Sequence, residues 1–162
     1  VLQPAVGFAL GGLTTLALYA PVIPSLLQEI GQVAGTSAAD PMQEYPYFLG
    51  HADETGTGAG EGYNLNYPMP FGTTWVEWNS CLEEGCKKLA AYSPDVVLVS
   101  LGVDTFEKDP ISRFKLRSEH YPLIGARIAK LNLPTLFVQE GGYAVEEIGI
   151  NAVGVLTGFE GR

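Results

Sequence analysis

Two short stretches of the chain contain side chains whose types and positions could support chemistry. The first carries a lone carboxylate, Asp104, three residues after the end of the apolar run 96–101 and just after Gly102-Val103. A carboxylate at such a place can bind a borderline cation such as zinc, act as a general base, or cap its own loop with help from Thr105. These three interpretations of Asp104 remain open on the residues alone.

The second stretch is Glu140-Gly-Gly-Tyr143, which follows the apolar run Pro134-Thr-Leu-Phe-Val-Gln139. Its glycines favour a tight turn between a strand and a helix, with Tyr143 packing beside it. Alternatively, backbone amides of that turn could bind a small anion at the start of the following helix. The turn is the favoured interpretation.

The elements that must position these groups indicate an α/β chain. Residues 96–101 are rich in β-branched side chains and too few for a surface helix, which favours a strand buried on both faces. Residues 134–139 form a second strand of the same design. From Tyr63 onward a strand-helix order repeats three times and predicts right-handed crossovers in a parallel sheet. If these two strands are neighbours, Asp104 and Tyr143 emerge at one edge of the sheet.

The three predicted helices have recognisable starts. Thr74-Trp-Val-Glu77 is a capping-box pattern and predicts a helix over 74–92. A second helix is predicted at 119–131 and a third at 146–159, where Val153 is expected to face inward. These helices alternate with the strands, as a parallel sheet requires.

Charge and cysteine content restrict the function class. The formal net charge is −9, and all of it arises in residues 1–86, which contain no Lys or Arg. This charge argues against a nucleic acid or an anionic membrane surface as a direct partner. Cys81 and Cys86 lie five positions apart in one predicted helix and point to different sides. They predict free thiols, which suit a reducing, cytoplasmic setting.

The first 38 residues differ from the rest. Residues 1–28 contain no charged side chain, and 5–27 are apolar enough to raise the question of a membrane span. Internal glycines and prolines, and the absence of flanking basic residues, argue against a span and against a signal peptide. The chain also begins with Val1 rather than Met.

Ordered motifs in the remainder resemble a known family. Ser100-Leu-Gly-Val-Asp-Thr-Phe-Glu-Lys-Asp-Pro110 with Glu140-Gly-Gly-Tyr143 resembles the histone deacetylase-like superfamily. Glu44-Tyr-Pro-Tyr-Phe-Leu-Gly-His-Ala-Asp-Glu-Thr-Gly56, followed by Gly62-Tyr-Asn-Leu-Asn66, is similar to its acetylpolyamine amidohydrolase branch. The resemblance extends from about Asp40 to the end. It implies an arginase- and deacetylase-like three-layer α/β fold with a parallel sheet, represented here by its carboxyl-terminal half.

The resemblance also implies a chemistry, the hydrolysis of an acetylpolyamine or an acetyl-lysine with one active-site zinc. Asp104 stands where the family motif has a zinc ligand. Tyr143 stands where the family has a hydroxyl that donates to the substrate carbonyl and then to the oxyanion. The substrate-binding positions implied are Phe48 in the acyl tunnel, Ile111 at its rim, and Gly141 and Gly142, which leave room for the Tyr143 ring.

The chain departs from the family in one respect. The family takes two further zinc ligands from an Asp-x-His element and its general base from a His-His pair, and this sequence contains neither. Its only histidines are His51 and His120. We therefore assign 39–162 to the carboxyl-terminal part of a deacetylase-like domain and leave 1–38 as an unassigned apolar segment, from a frameshift, a wrong start or a fusion. We expect the chain to be inactive alone.

A rival interpretation is a non-catalytic α/β module that binds a small anion or a protein partner at the Gly141–Gly142 turn. Under the enzyme interpretation the substrate is a small acetylated amine or acetyl-lysine. Ile111 occupies a rim position where a Glu would meet a distant ammonium, so the sequence leaves the choice of substrate open. It also leaves open whether the protein forms a homo-oligomer.

Overall fold

The computed structural model describes Gly7–Leu10, Thr14–Leu18, Gln43–Tyr45 and residues 50–161. These residues form two sheets and three α-helices. The strands are β1 (Gly7–Leu10), β2 (Thr14–Leu18), β3 (Gln43–Tyr45), β4 (Asn64–Tyr67), β5 (Met69–Pro70), β6 (Val97–Leu101) and β7 (Thr135–Gln139). The α-helices are α1 (Trp75–Tyr92), α2 (Tyr121–Ala129) and α3 (Ile148–Glu160), with 3-10 turns at Gly58–Gly60 and Ser118–His120.

The larger sheet has five strands in the order β4-β1-β2-β6-β7, and β2 runs opposite to the other four. The predicted parallel pairing of β6 with β7 is confirmed, with Val97 opposite Thr135 and Leu101 opposite Gln139. Strands β1 and β2 belong to the segment 1–38 and occupy the two positions between β4 and β6. The smaller sheet pairs β3 with β5 in antiparallel fashion.

Local signals determine where α1 begins. The Thr74 N–H donates a hydrogen bond to Glu77 Oε2 at 2.8 Å, and the Thr74 hydroxyl donates to the same oxygen at 3.0 Å. These hydrogen bonds lower the pKa of Glu77 because they stabilise its charged form. On the exposed face, Lys87 and Lys88 each pair with the acid four residues earlier, at 3.3 and 3.7 Å. The predicted helix start is confirmed.

The hydrophobic core lies on one face of β6 and β7. Val97, Val99 and Leu101 are buried there, whereas Leu98 and Ser100 on the other face are only half-buried. The connections from β4 to β6 and from β6 to β7 progress in one direction across the sheet. Crossovers of the usual right hand then place α1 and α2 on the same face. The core cluster accordingly draws on all three helices; its members include Trp78, Leu82, Leu89, Ile124, Ile128 and Val155.

The prediction that both strands are buried on both faces is therefore wrong for β7 and only half correct for β6. On the face opposite the described helices, Leu136 and Val138 of β7 are 56% and 41% exposed. Phe137, which points the other way, packs against Phe159 of α3 with ring centroids 5.2 Å apart. Among the described residues, the helices thus cover one side of these strands.

Glycines decide which face of α3 packs. Asn151, Gly154, Val155 and Gly158 form one helical stripe, in which Asn151 and Val155 are buried. A β carbon at Gly158 would overlap the carbonyl oxygen of Pro122 in α2, so the two backbones approach closely here. Val153, expected to face inward, is instead 56% exposed. The prediction for Val153 is wrong because α3 packs through the stripe that contains Gly154 and Gly158, where the two glycines allow a close approach to α2, and Val153 lies outside that stripe.

Two sequence features bear on where the protein resides: the free thiols expected at Cys81 and Cys86, and the apolar residues 5–27, which raised the question of a membrane span. Cys81 and Cys86 are free, as expected, and burial raises the pKa of Cys86 to about 11. Of the helices in the described ranges, none combines the length and the apolar character that a bilayer crossing needs.

The α2–α3 contact can be tested with two alanine variants of the same helix. Gly158→Ala should lower the free energy of unfolding by about 1–3 kcal/mol, because the added methyl group must push the backbones of α2 and α3 apart. Gly149→Ala is the matched control, since its β carbon would meet nothing within 4 Å. Its effect should stay within about 0.5 kcal/mol. Chemical denaturation measures both, and equal effects at the two positions would contradict the close contact.

Candidate functional site

The candidate site lies beyond the carboxyl ends of β6 and β7. The strand pairing ends with Leu101 opposite Gln139, and two backbone hydrogen bonds continue it. The Glu140 N–H donates to the Leu101 carbonyl at 3.0 Å, and the Val103 N–H donates to the Gly141 carbonyl at 2.9 Å. The two turns that follow the strands therefore run side by side.

These turns bring the two predicted chemical groups to one edge of the sheet. Asp104 follows Val103 and is buried, with 4% of its surface exposed. Its carbonyl oxygen accepts a hydrogen bond from the Ser112 hydroxyl. Tyr143, two residues beyond Gly141, is 46% exposed. A buried carboxylate thus lies on one turn and an accessible phenol on its neighbour.

A buried tyrosine makes hydrogen bonds to the residues on both sides of Asp104. Tyr121, the first residue of α2, is fully buried, and its hydroxyl donates to the Val103 carbonyl at 3.0 Å. The Thr105 hydroxyl lies 3.1 Å from the same phenol oxygen and supplies it with a donor. Burial raises the pKa of Tyr121 well above its usual value, so its hydroxyl stays protonated and able to donate. Helix α2 thereby fixes the residues on both sides of Asp104.

Steric contacts explain why the second turn has glycine at position 142. Gly142 has φ +140°, in the region that favours glycine. A β carbon there would come within 2.6 Å of Val103 Cγ2 and 3.1 Å of Ile148 Cγ1. The close approach of the two turns therefore depends on a residue without a side chain at this position, and Gly141 beside it is buried.

One residue of this site was missed by the sequence analysis. Asp109 is 6% exposed and its carboxylate connects the two turns. Its Oδ2 accepts the Tyr143 N–H at 2.8 Å, and its Oδ1 accepts the N–H groups of Ile111 at 2.9 Å and Ser112 at 3.3 Å. An acid directly before Pro110 is a turn signal that could have drawn attention to it. That signal predicts the contacts with Ile111 and Ser112 but not the one with Tyr143.

The remaining predicted site residues divide by location. Ile111 lies on the Asp109 loop and is 66% exposed, compatible with a rim. Phe48 lies outside the described residues. Within the part of the chain that the structure describes, no three His, Cys, Asp or Glu side chains are grouped so as to hold a metal ion. The described residues therefore do not supply a complete set of ligands for a catalytic zinc ion.

Both histidines have structural contacts. The His120 side chain is 15% exposed and stacks on Trp75 with ring centroids 4.7 Å apart. Its Nδ1 accepts the Arg117 N–H at 2.9 Å, and desolvation lowers its pKa. The carbonyl oxygen of His51 accepts a hydrogen bond from Asn66 Nδ2 at 2.9 Å. The stacking joins the start of α2 to the start of α1.

Comparison with known proteins gives consistent matches. The family model for the histone deacetylase domain matches residues 31–158. Acetylpolyamine amidohydrolase 1 of Pseudomonas aeruginosa is 60% identical over 122 residues, which are 75% of this chain and 35% of that protein. Acetylpolyamine amidohydrolase of Mycoplana ramosa is 51% identical over 122 residues, or 75% of this chain and 36% of that protein. The chain therefore spans about a third of the length of these relatives.

Solved structures agree with the sequence matches. The acetylpolyamine aminohydrolase from Burkholderia pseudomallei superposes with a TM-score of 0.68 at 37% identity, covering 71% of this chain and 34% of that chain. A histone deacetylase homologue from Aquifex aeolicus gives a TM-score of 0.63 at 27% identity, covering 73% and 32%. The expected deacetylase-like α/β fold is confirmed.

The support of the Asp104 turn by Tyr121 can be measured as stability. Tyr121→Phe should lower the free energy of unfolding by about 1–3 kcal/mol, because the buried Val103 carbonyl and Thr105 hydroxyl lose their partner. Tyr143→Phe removes the same atom from a side chain that is 46% exposed and should change stability by less than about 0.5 kcal/mol. Thermal and urea denaturation of both variants would show the difference. A neutral Tyr121→Phe would contradict this role of α2.

Proposed function

This chain belongs to the histone deacetylase domain family, and on that premise we propose that it is the carboxyl-terminal part of a zinc-dependent hydrolase that removes acetyl groups from amides. The observation that best supports this function is the pair of adjacent turns, one with a buried carboxylate and the other with an accessible phenol. Asp104 and Tyr143 are the residues at the two motif positions. The relatives named acetylpolyamine amidohydrolase suggest a small acetylated amine as substrate, with acetyl-lysine as the alternative of the same chemistry.

We assign different roles to the two residues. Asp104 would be one ligand of the zinc ion, which when bound polarises the acyl carbonyl and activates a water molecule. Tyr143 would donate a hydrogen bond to the substrate carbonyl and a stronger one to the oxyanion that develops from it. Its exposure allows the hydroxyl to reach a substrate that approaches from solvent. Ile111 and, outside the described residues, Phe48 would contact the substrate.

The proposed part of the domain is 39–162, and it supplies one carboxylate where a catalytic zinc site needs three protein ligands. Further ligands would come from a segment equivalent to the two thirds of the relatives that this chain does not span. The exposed apolar face of β7 supports such a complement, because Leu136 and Val138 would be covered by a second layer. The cytoplasmic setting is proposed from the two free thiols.

The first experiment compares the chain alone with a hybrid. The chain alone should bind zinc only substoichiometrically and release no acetate from acetylated polyamines, because one carboxylate does not hold a catalytic metal. Fused to the amino-terminal part of the Pseudomonas aeruginosa amidohydrolase 1, it should gain both zinc and activity. Metal analysis and acetate release measure the two properties. Zinc-dependent hydrolysis by the chain alone would contradict its inactivity, and a folded hybrid without zinc or activity would favour a non-catalytic binding module.

The second experiment separates the roles of the two residues within that hybrid. Asp104→Ala should lose both zinc and activity, because it removes a ligand. Tyr143→Phe should keep zinc and lose activity by about 10²-fold or more, the usual cost of removing one oxyanion donor. Asp95→Asn, at an exposed carboxylate before β6, is the control and should change neither. Normal zinc content in Asp104→Ala would exclude Asp104 as a ligand.

A further inference from the structure

The carboxylate of Asp109 is placed to control the geometry of the site without being exposed to a substrate. It lies five residues after Asp104 and is 6% exposed. Burial of an ionised carboxylate is costly unless hydrogen-bond donors replace its water. Here the donors are three backbone N–H groups, from Ile111, Ser112 and Tyr143. The carboxylate is thus stabilised by backbone groups of the two turns that it connects.

A continuous set of hydrogen bonds leads through Asp109 from one candidate residue to the other. The Ser112 hydroxyl donates to the Asp104 carbonyl, and the Ser112 N–H donates to Asp109 Oδ1 at 3.3 Å. On the other side, Asp109 Oδ2 accepts the Tyr143 N–H at 2.8 Å. One carboxylate therefore connects the backbone of Asp104 with the backbone of Tyr143, in addition to the Val103–Gly141 hydrogen bond between the two turns.

The Tyr143 turn needs such a contact. Gly142 precedes it at φ +140°, and a glycine restricts backbone rotation less than any other residue. The Tyr143 side chain is 46% exposed, so packing holds it only in part. The ion pair of Lys108 with Glu147 also joins the two segments, at 3.6 Å, but Lys108 is 68% exposed there. Exposed pairs of this kind contribute little.

We propose that Asp109 is a positioning residue, which acts through the Tyr143 N–H to hold the phenol at a fixed place relative to Asp104. This inference rests on the proposed function for its effect on catalysis. The reason is geometric, because catalysis by a positioned donor is sensitive to displacements of about 1 Å. Asp109 itself contacts neither the metal nor the substrate in this proposal.

The link is tested first in the unmodified chain and its Asp109→Asn variant, with no need for activity. Asparagine keeps the shape but offers one oxygen in place of two, so an amide hydrogen faces one of the donors. Hydrogen exchange of the Tyr143 amide, followed by NMR, should be at least about tenfold faster in Asp109→Asn. The core amides of Val99 and Leu101 should be unchanged, as should all amides in Asp95→Asn. Unchanged exchange at Tyr143 overturns the inference.

A second measurement covers the case in which Asp109→Asn fails to fold. In the unmodified chain, the hydrogen bond itself should give a scalar coupling between the Tyr143 amide nitrogen and the Asp109 side-chain carboxyl carbon. The coupling requires direct contact of the two groups, so its presence supports the link. Its absence, when couplings within β6–β7 are detected in the same spectrum, overturns the inference.

The effect on catalysis is tested in the hybrid described above. Asp109→Asn should lower kcat by about 10- to 100-fold, with zinc content and KM little changed, because only the position of the transition-state donor is disturbed. A merely structural residue would lower the folded fraction and leave the kcat of the folded molecules intact, and that result overturns the inference. A hybrid without any activity refutes the proposed function, whereas the exchange and coupling measurements still decide whether Asp109 holds Tyr143.

Discussion

The hydrogen-bonded register between β6 and β7 does not stop where the strands end, because the Glu140 N–H still reaches the Leu101 carbonyl and the Val103 N–H reaches the Gly141 carbonyl. This continuation places the loops that follow β6 and β7 side by side, although they are more than thirty positions apart in sequence. Parallel pairing is what allows it, since both strands then end at the same edge. The relation between Asp104 and Tyr143 is a consequence of this pairing.

Buried polar groups then fix the two turns in the form that the pairing permits. Tyr121 holds the Val103 carbonyl from inside the fold, and Asp109 holds the Tyr143 N–H from the side. Hydrogen bonds are strong in such water-poor surroundings, and an unpaired partner would be costly. Tyr121 connects the helix packing with the site. It belongs to α2, which packs against Gly158 of α3 through Pro122, and its hydroxyl binds the Val103 carbonyl next to Asp104.

Membership of the histone deacetylase domain family and a span of about a third of the relatives' length explain two unusual features together. One face of β7 exposes Leu136 and Val138, and within the described residues no three His, Cys, Asp or Glu side chains are grouped so as to hold a metal ion. Both features fit the proposal that the further zinc ligands and a second layer over β7 come from outside this chain. Under the proposed function, the chain contributes the proposed zinc ligand and the proposed oxyanion donor from two adjacent turns.

The sequence by itself determined the features that depend on neighbours along the chain. The capping box at Thr74, the apolar strands and the strand-helix order were all predictable because hydrogen bonding and side-chain periodicity act over a few residues. The roles of Asp104, Tyr143, Ile111 and Phe48, and the boundary at residue 39, are still predictions. Only the tertiary structure decided the packed face of α3, the stacking of His120 on Trp75 and the contact of Asp109 with a backbone group 34 positions away. Each of these depends on how closely distant segments approach, which no local pattern encodes.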